Sequence, residues 1–309
     1  MNEAFQKYKK SGEILTKTLE YTKTIVKPGI FLLDIAEAAE KFIRNHSAEP
    51  AFPINISINE VAAHYSPTIN DKTVIPEDSI VKIDAGVSID GYLSDAARTI
   101  IFNEKWRHMK DTARKALDEA LKIIKPNESV FRIGEIVQRC IEAEGFRSII
   151  NLSGHSLSQY SLHDGISIPN YKVSKKIQDN SYRFRIGKAY AIEPFVTTGV
   201  GRVTDSVEET IFRQFREITN KNLPKKTHEI YQYINNNFHR LPFSWRWIYN
   251  AGFSIGEINE AKKKLFEEQV IHGYPVLVEI TKKPVTQEEE TIFIGNDEVH
   301  IMTDNKKEK

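Results

Sequence analysis

The sequence has few of the features that mark membrane-spanning, secreted or highly charged proteins. Its single cysteine, Cys140, excludes an internal disulfide, and residues 1–14 lack the apolar core of a signal peptide. No apolar run approaches the roughly 18 residues that a membrane span requires. A formal charge of +1 at pH 7 gives no global sign of nucleic-acid or membrane binding. We therefore expect a cytoplasmic monomer that makes no membrane contact.

What the chain does have is the ordinary composition of a soluble globular protein, with 40% hydrophobic and 28% charged residues among its 309. Hydrophobic periodicity at helical spacing recurs along most of its length. It predicts helices over residues 3–26, 32–47, 107–125, 131–144, 227–238 and 258–271, with a further helix in the aromatic segment 243–249.

Extended segments are predicted between these helices, where apolar residues alternate or run together. They lie over residues 51–57, 59–67, 81–101, 189–197, 276–281 and 291–294. Within the fourth of them Pro194 directly follows Glu193, which indicates an edge strand or a bulge. The last two segments are expected to pair with each other through a loop that contains residues 287–290.

The most unusual stretch is Val81–Ile100, which reads as a β-hairpin that contains two aspartates. If Asp90–Gly91 forms the two-residue turn, Asp84 lies opposite Ala97, and Asp95 lies on the same face of the hairpin. Such diagonal neighbours are roughly 7–8 Å apart between backbones, and their side chains could reach a cation pair about 3.5–4 Å apart. Aspartates near a turn are more often solvated caps, but Asp84 interrupts a core-type strand, which favours a partner or a metal.

Further polar residues stand in apolar or glycine-flanked settings, where unpaired polar groups are rare. They are His155, Glu193 and one of the glutamates at 288–290. Together with Asp84 and Asp95 they form a ligand set that suits a two-metal hydrolase, because carboxylates neutralise two divalent ions and an imidazole adds a firmer ligand to one of them. Such a pair lowers the pKa of a bridging water toward neutrality.

Taken together, the chain resembles the type-2 methionine aminopeptidases of the archaeal kind over about residues 3–302. Five motifs in the family order carry the resemblance: FPxNxSxNExAAHYSP at 52–67, KIDAGVxxDGYxxDxART at 82–99, SGHSLxQYxLHDG at 153–165, YAIEPF at 190–195 and QxExT at 287–291. The resemblance implies the α+β pita-bread fold, a curved antiparallel sheet flanked by helices with a metal pair in its cleft. Residues 1–210 and 275–309 would form the catalytic domain, and residues 211–274 a helical, winged-helix-like inserted subdomain.

The resemblance also implies a role for each ligand and two divalent ions, which could be Co, Mn, Fe or Zn. Asp84 would chelate one ion, and Asp95 would bridge both. His155 and Glu193 would hold the other ion, and Glu289 would be the second bridge, because the family glutamate stands two residues before the threonine.

The implied reaction is removal of the N-terminal methionine from nascent proteins and peptides that have a small second residue. An activated water attacks the scissile carbonyl, and Glu193 carries its proton to the leaving amine. His64 and His163 match the two non-ligand family histidines, which contact the substrate and stabilise the tetrahedral intermediate. His64 also matches the nucleophile attacked by epoxide inhibitors of the fumagillin type. Glu290 replaces a histidine that is frequent in the family.

A methionine pocket is implied by apolar positions that match the family. Phe52, Leu162 and Phe195 would line it, and Tyr274 would lie at its mouth. Ile211 occupies a place where eukaryotic members carry a histidine, so inhibitors that rely on that histidine should bind this protein less well.

Two other kinds of protein would share the pita-bread fold. A pita-bread binding protein associated with the ribosome or with nucleic acid would lack metal ligands, although the mildly basic segment 211–274 permits a transient ribosome contact. A proline-specific aminopeptidase would share the ligands but carry a large extra N-terminal domain, which we do not expect in a chain that starts with a catalytic-domain helix.

Overall fold

The computed structural model describes residues 3–218 and 223–303. Seven α-helices lie within these residues, close to the segments that periodicity predicts. They are α1 Glu3–Ile25, α2 Leu32–Asn45, α3 Arg107–Ile123, α4 Val130–Ala143, α5 Lys225–Phe238, α6 Trp245–Asn250 and α7 Ile255–Glu267. No helix among the described residues is both long and apolar enough to cross a membrane.

The strands form antiparallel sheets, so the expected α+β class is confirmed. They are β1 Glu49–Pro50, β2 Asn55–Ile58, β3 Val61–Ala63, β4 Ile80–Ile89, β5 Tyr92–Ile101, β6 Arg147–Ser148, β7 Ser153–Leu157, β8 Ser167–Pro169, β9 Ala189–Ile192, β10 Phe195–Thr197, β11 Val203–Gln214, β12 Ile271–Glu279, β13 Val285–Gln287, β14 Glu290–Ile294 and β15 Val299–Ile301. One sheet places β4 between β5 and the pair β1 and β2, and another has the order β15-β14-β9-β7-β8. Two three-stranded sheets have the orders β13-β10-β6 and β11-β12-β3.

The predicted register of the β4–β5 hairpin is confirmed. Asp84 pairs with Ala97, and Asp95 pairs with Gly86, two positions along the ladder. Asp90 and Gly91 at the turn have φ angles of 50° and 82°, the left-handed pair that a two-residue turn of type I′ requires. Because this turn chemistry is local, the turn residues are enough to predict the register.

The prediction for Pro194 is wrong. The extended segment 189–197 is neither an edge strand nor a bulged one, because it divides at Glu193 and Pro194 into two strands that are each central in a different sheet. Proline has no N–H to give to a ladder, so the break falls where the chain passes from one sheet to the next. Glu193 consequently lies at the junction of two sheets.

The predicted pairing of segments 276–281 and 291–294 is also wrong. β12 pairs with β11 and β3, whereas β14 pairs with β9 and β15. The intervening segment is not a simple loop, since Gln287 ends β13 and Glu290 begins β14. Alternating apolar residues indicate a strand but carry no information about its partner. The helix predicted over 258–271 ends at Glu267, and a left-handed Gln269 (φ 53°) turns the chain into β12.

Helices cover the sheets and leave the cleft between them open. α1 packs on β4 and β5, and α3 packs on β10 and β13. Along the chain, the helices α5 to α7 come after β11 and before β12, two strands that pair directly with each other. The three helices share a core of their own, which includes Ile230, Ile248 and Leu265. The boundaries of an inserted subdomain at 211 and 274 stay a prediction.

Candidate active site

One cavity of about 430 Å³ lies in the cleft between the sheets. Its walls contain every site residue that the sequence predicts: Phe52, His64, Asp84, Asp95, His155, Leu162, His163, Glu193, Phe195, Tyr274 and Glu289. These side chains come from segments that are far apart in the chain. The fold therefore gathers the predicted ligands, histidines and apolar residues at one place.

The five predicted metal ligands converge from four chain segments. Asp84 and Asp95 project from the β4–β5 hairpin, His155 from β7, Glu193 from the break after β9, and Glu289 from the short gap between β13 and β14. His155 Nε2 lies 3.5 Å from Asp95 Oδ2 and 3.7 Å from Glu193 Oε1. Ligand atoms of Asp95, His155 and Glu289 all lie within 4.8 Å of one another. These atoms are close enough to share an ion.

The electrostatics of this cluster call for a cation. Burial raises the pKa of the Asp84, Asp95, Glu193 and Glu289 carboxyls well above the ordinary range, and for Asp84, Glu193 and Glu289 the charge of Asp95 raises the pKa further. Burial also lowers the pKa of His155 to about 4, so its ring is neutral and can act as a ligand. Four buried carboxylates can all be ionised near neutral pH only when bound cations offset their repulsion.

Several carboxylate oxygens also lack the hydrogen bonds that burial normally demands. Within residues 3–218 and 223–303, no protein donor reaches Asp84 Oδ1, Asp95 Oδ1 or Glu289 Oε1, although all three atoms are buried. The other oxygens of Asp84 and Glu289 accept from the Gln287 amide, at 3.5 and 3.3 Å. An oxygen-rich donor set with free lone pairs fits divalent ions such as manganese, iron, cobalt or zinc. The sequence identifies Gln287 only as part of the QxExT motif and does not indicate that its amide contacts Asp84 and Glu289.

His64 is held in an uncommon backbone conformation at the cavity wall. Its φ is +67°, in the left-handed region that costs a residue with a side chain on the order of 1–3 kcal/mol. The backbone N–H donates to Asn55 Oδ1 at 2.8 Å, and the carbonyl accepts from Thr210 Oγ1 at 2.9 Å. Ring Nδ1 lies 3.1 Å from the Pro275 carbonyl. Because a carbonyl only accepts, Nδ1 carries the proton, and Nε2 is left as an acceptor.

Asn55 and Thr210 are positioning contacts that sequence reasoning missed. Asn55 stands inside a recognised motif, but nothing in the letters says that its amide holds another residue's backbone. His163 lies beside His155, with ring centroids 4.4 Å apart. Burial, together with the neighbouring His155, lowers the pKa of His163 to about 3, so this ring is neutral too.

The cavity also has an apolar part to its lining, which we call the apolar wall. Phe52, Leu162, Phe195 and Tyr274 belong to it, as the resemblance predicts, and so does Ile211. The wall also contains residues that sequence reasoning did not name: Ala63, Pro242 and Leu277. Carboxylates and an apolar wall in one cavity suit a substrate with a reactive polar end and an unbranched apolar side chain.

The chain is similar in sequence and in fold to several known proteins. The model of metallopeptidase family M24 matches residues 6–215. The methionine aminopeptidase of Saccharolobus solfataricus is 37% identical over 295 residues, which cover 95% of each chain. Among solved structures, a thermophilic Arx1 superposes with a TM-score of 0.83 at 18% identity, over 98% of this chain and 91% of that one. The methionine aminopeptidase of Thermotoga maritima superposes with a TM-score of 0.70 at 21% identity, over 99% and 98%.

Because the two solved structures are only 18% and 21% identical to this chain, they show its fold and nothing more. The expected pita-bread fold is confirmed. The family match and the archaeal relative cover most of the chain and include the segments that supply Asp84, Asp95, His155 and Glu193. The match over residues 6–215 and the 37% identity over 95% of each chain show that the chain belongs to metallopeptidase family M24.

Proposed function

We propose that the protein is a methionine aminopeptidase that removes the N-terminal methionine from peptides and nascent proteins whose second residue is small. The observation that carries the proposal is the gathering of five ligand side chains, with unsatisfied oxygens, next to an apolar wall in one cavity. The enzyme class agrees with the M24 family and with the name of the archaeal relative.

In this proposal two divalent ions are held by Asp84, Asp95, His155, Glu193 and Glu289. When bound, the ions supply Lewis acidity, which polarises the scissile carbonyl and lowers the pKa of a water. Asp95 and Glu289 would help to hold them, since each offers a carboxylate oxygen within 4.8 Å of a ligand atom of His155 and of the other carboxylate. Manganese, iron, cobalt and zinc all suit this donor set.

The remaining chemistry belongs to side chains of the chain itself. Glu193 takes a proton from the attacking water and gives it to the leaving amine, because its carboxylate lines the cavity beside the other proposed ligands, with Oε1 3.7 Å from His155 Nε2. His64 offers Nε2 as an acceptor for an N–H of the substrate backbone. His163, as a neutral ring beside His155, donates to the oxygen that becomes negative during attack.

The methionine side chain lies against Phe52, Leu162, Phe195 and Tyr274 in this proposal. Burial of an unbranched thioether on such a surface is favourable by about 25 cal/mol per Å², and the wall contains no charged group to reward a polar side chain. Ile211 keeps this part of the wall apolar. Inhibitors that need a histidine at position 211 are therefore expected to bind less tightly.

The direct test is release of methionine from Met-Gly-type peptides by the purified protein. We expect a chelator to abolish the release and Mn²⁺ or Co²⁺ to restore it, because the buried carboxylates need cations to create the nucleophile. Asp95→Asn should remove the activity, whereas Asp34→Asn, an exposed change in α2, should leave it intact. Release by Asp95→Asn at the wild-type rate, or no release with any divalent ion, would contradict the proposal.

Metal should also stabilise the fold. Addition of Mn²⁺ to the metal-free protein is expected to raise the unfolding temperature, because an ion that binds only the folded state shifts the equilibrium toward it. The carboxylates whose pKa is raised by burial can then ionise without mutual repulsion. Thermal unfolding followed by circular dichroism measures the shift, which should be much smaller in Asp95→Asn. An equal rise in unfolding temperature in the wild type and in Asp95→Asn would mean that Mn²⁺ binds at a site that does not include Asp95.

A further inference from the structure

We propose that Arg98 is a positioning residue for the bridging carboxylate of Glu289, and that Glu290 is the buried anion that holds Arg98 in place. The inference rests on the proposed function, in which Glu289 binds both ions. Its basis is a chain of contacts behind the cavity that ends at the two bridging residues, Asp95 and Glu289.

The backbone at Glu289 depends on a side chain for its alignment. Glu289 lies in the gap between β13 and β14, so it has no place in a regular ladder. Its N–H donates to the Ala97 carbonyl at 3.1 Å, and its own carbonyl accepts from Arg98 Nη1 at 2.6 Å. The same Nη1 also donates to the Ala97 carbonyl at 2.9 Å. The Arg98 side chain therefore donates the hydrogen bond that a neighbouring strand would give to the Glu289 carbonyl, and it connects the Glu289 backbone to β5.

Glu290 supplies the charge that fixes the guanidinium of Arg98. Its carboxylate is buried, and Oε1 accepts from Arg98 Nη2 at 2.7 Å and from Arg114 Nη1 at 2.8 Å. Its Oε2 accepts from the Thr303 hydroxyl. A buried carboxylate with two guanidinium partners and a hydroxyl donor is fully compensated. Glu290 is the position where this sequence departs from the family histidine, and the two arginines explain how a negative charge is accommodated there.

The same network reaches the other bridging residue. The Thr303 hydroxyl, which contacts Glu290, also accepts from the Thr291 backbone N–H at 3.0 Å. The Thr291 hydroxyl exchanges hydrogen bonds of 2.7 Å with the Asp95 backbone, accepting from its N–H and donating to its carbonyl. The backbones of both proposed bridges are thus tied to Glu290, which makes this cluster the support behind the metal pair.

The physical consequence is a cost in metal affinity when Arg98 is lost. Without Arg98 the Glu289 carbonyl loses its donor, and the local backbone can shift by fractions of an ångström. Partners behind metal ligands typically change metal affinity by about 10–100-fold when mutated. A merely structural arginine would lower stability and leave the affinity of the folded protein unchanged.

The test compares Arg98→Leu with Arg114→Leu. Arg114 is a matched control, because it also binds Glu290 but its other partner is Asp118, at 3.0 Å, and it does not donate to Glu289. The metal-free full chain is titrated with Co²⁺ by calorimetry, and the visible spectrum of the bound Co²⁺ is recorded. We expect Arg98→Leu to weaken Co²⁺ binding by about 10–100-fold and to alter the spectrum. Arg114→Leu should bind like the wild type, although its unfolding temperature should also be lowered, because it loses its contacts with Glu290 and Asp118.

Two further variants keep the proposal testable. Arg98→Lys can reach one acceptor but cannot span both, since it lacks the planar fork, and should bind Co²⁺ with intermediate affinity. Glu290→Gln retains the shape and an oxygen acceptor, so it replaces Arg98→Leu as the test if that protein does not fold, and it should also weaken binding. Wild-type affinity in the folded Arg98 and Glu290 variants, or equal losses in Arg98→Leu and Arg114→Leu, would overturn the inference. Failure of the wild type itself to bind Co²⁺ would instead overturn the proposed function.

Discussion

Replacement of Glu193 by glutamine is expected to lower kcat by about 10²–10⁴-fold, the usual contribution of a positioned acid or base. Glutamine has nearly the same shape but can neither take up the proton of the attacking water nor give it to the leaving amine. Glu193 is placed for this transfer, because its carboxylate lines the cavity and Oε1 lies 3.7 Å from His155 Nε2. The measurement is methionine release from a Met-Gly-type peptide at saturating Co²⁺, so that any loss of metal affinity is offset.

Glu288→Gln is the matched control for this experiment. Glu288 is also a buried glutamate close to the site, and Oε1 accepts from the Thr99 backbone N–H at 3.1 Å, but the residue does not line the cavity. Its replacement removes the same charge and keeps an acceptor, so kcat should change little. Equal losses in the two variants would indicate a general effect of charge. Unchanged turnover in Glu193→Gln would remove the proton-transfer role.

Replacement of Glu40 by glutamine is expected to lower the free energy of unfolding by about 3–5 kcal/mol, the usual cost of leaving one member of a buried ion pair alone. Glu40 in α2 accepts from both terminal nitrogens of Arg246 in α6 at 2.8 Å, and from Trp247 Nε1 at 2.7 Å. The Glu40 and Arg246 side chains are only 1% and 2% exposed. Loss of the carboxylate therefore leaves a guanidinium without its counter-charge where water cannot reach it.

Urea unfolding followed by circular dichroism measures this change. Glu119→Gln, which removes one partner of the exposed Lys122 pair on α3, should have little effect, because water already screens that pair. The double variant Glu40→Leu with Arg246→Met should recover much of the loss, since no buried charge remains. A Glu40→Gln protein as stable as Glu119→Gln would show that the buried pair does not join α2 to α6 in the way the contacts indicate.

The hairpin that carries Asp84 and Asp95 could be predicted from the sequence because its determinants are local. The Asp90–Gly91 turn sets the register of the hairpin through backbone preferences of the turn residues themselves, and this register places Asp84 and Asp95 on one face. Helical periodicity likewise depends only on neighbours a few residues apart, so the helices were predicted to within a few residues, except for the end of α7.

The sequence by itself determined the elements, the hairpin and the kinds of ligand available, whereas only the tertiary structure decided how distant segments meet. The partners of β12 and β14, and the division of a strand at Pro194, follow from which apolar faces bury one another across the molecule. The contacts of Arg98 with Glu289 and Glu290 arise in the same way, since residues about 190 positions apart meet only after the sheets have assembled. The identity of one residue does not indicate such a contact. Long-range packing decides which polar groups are buried next to that residue and need its hydrogen bonds.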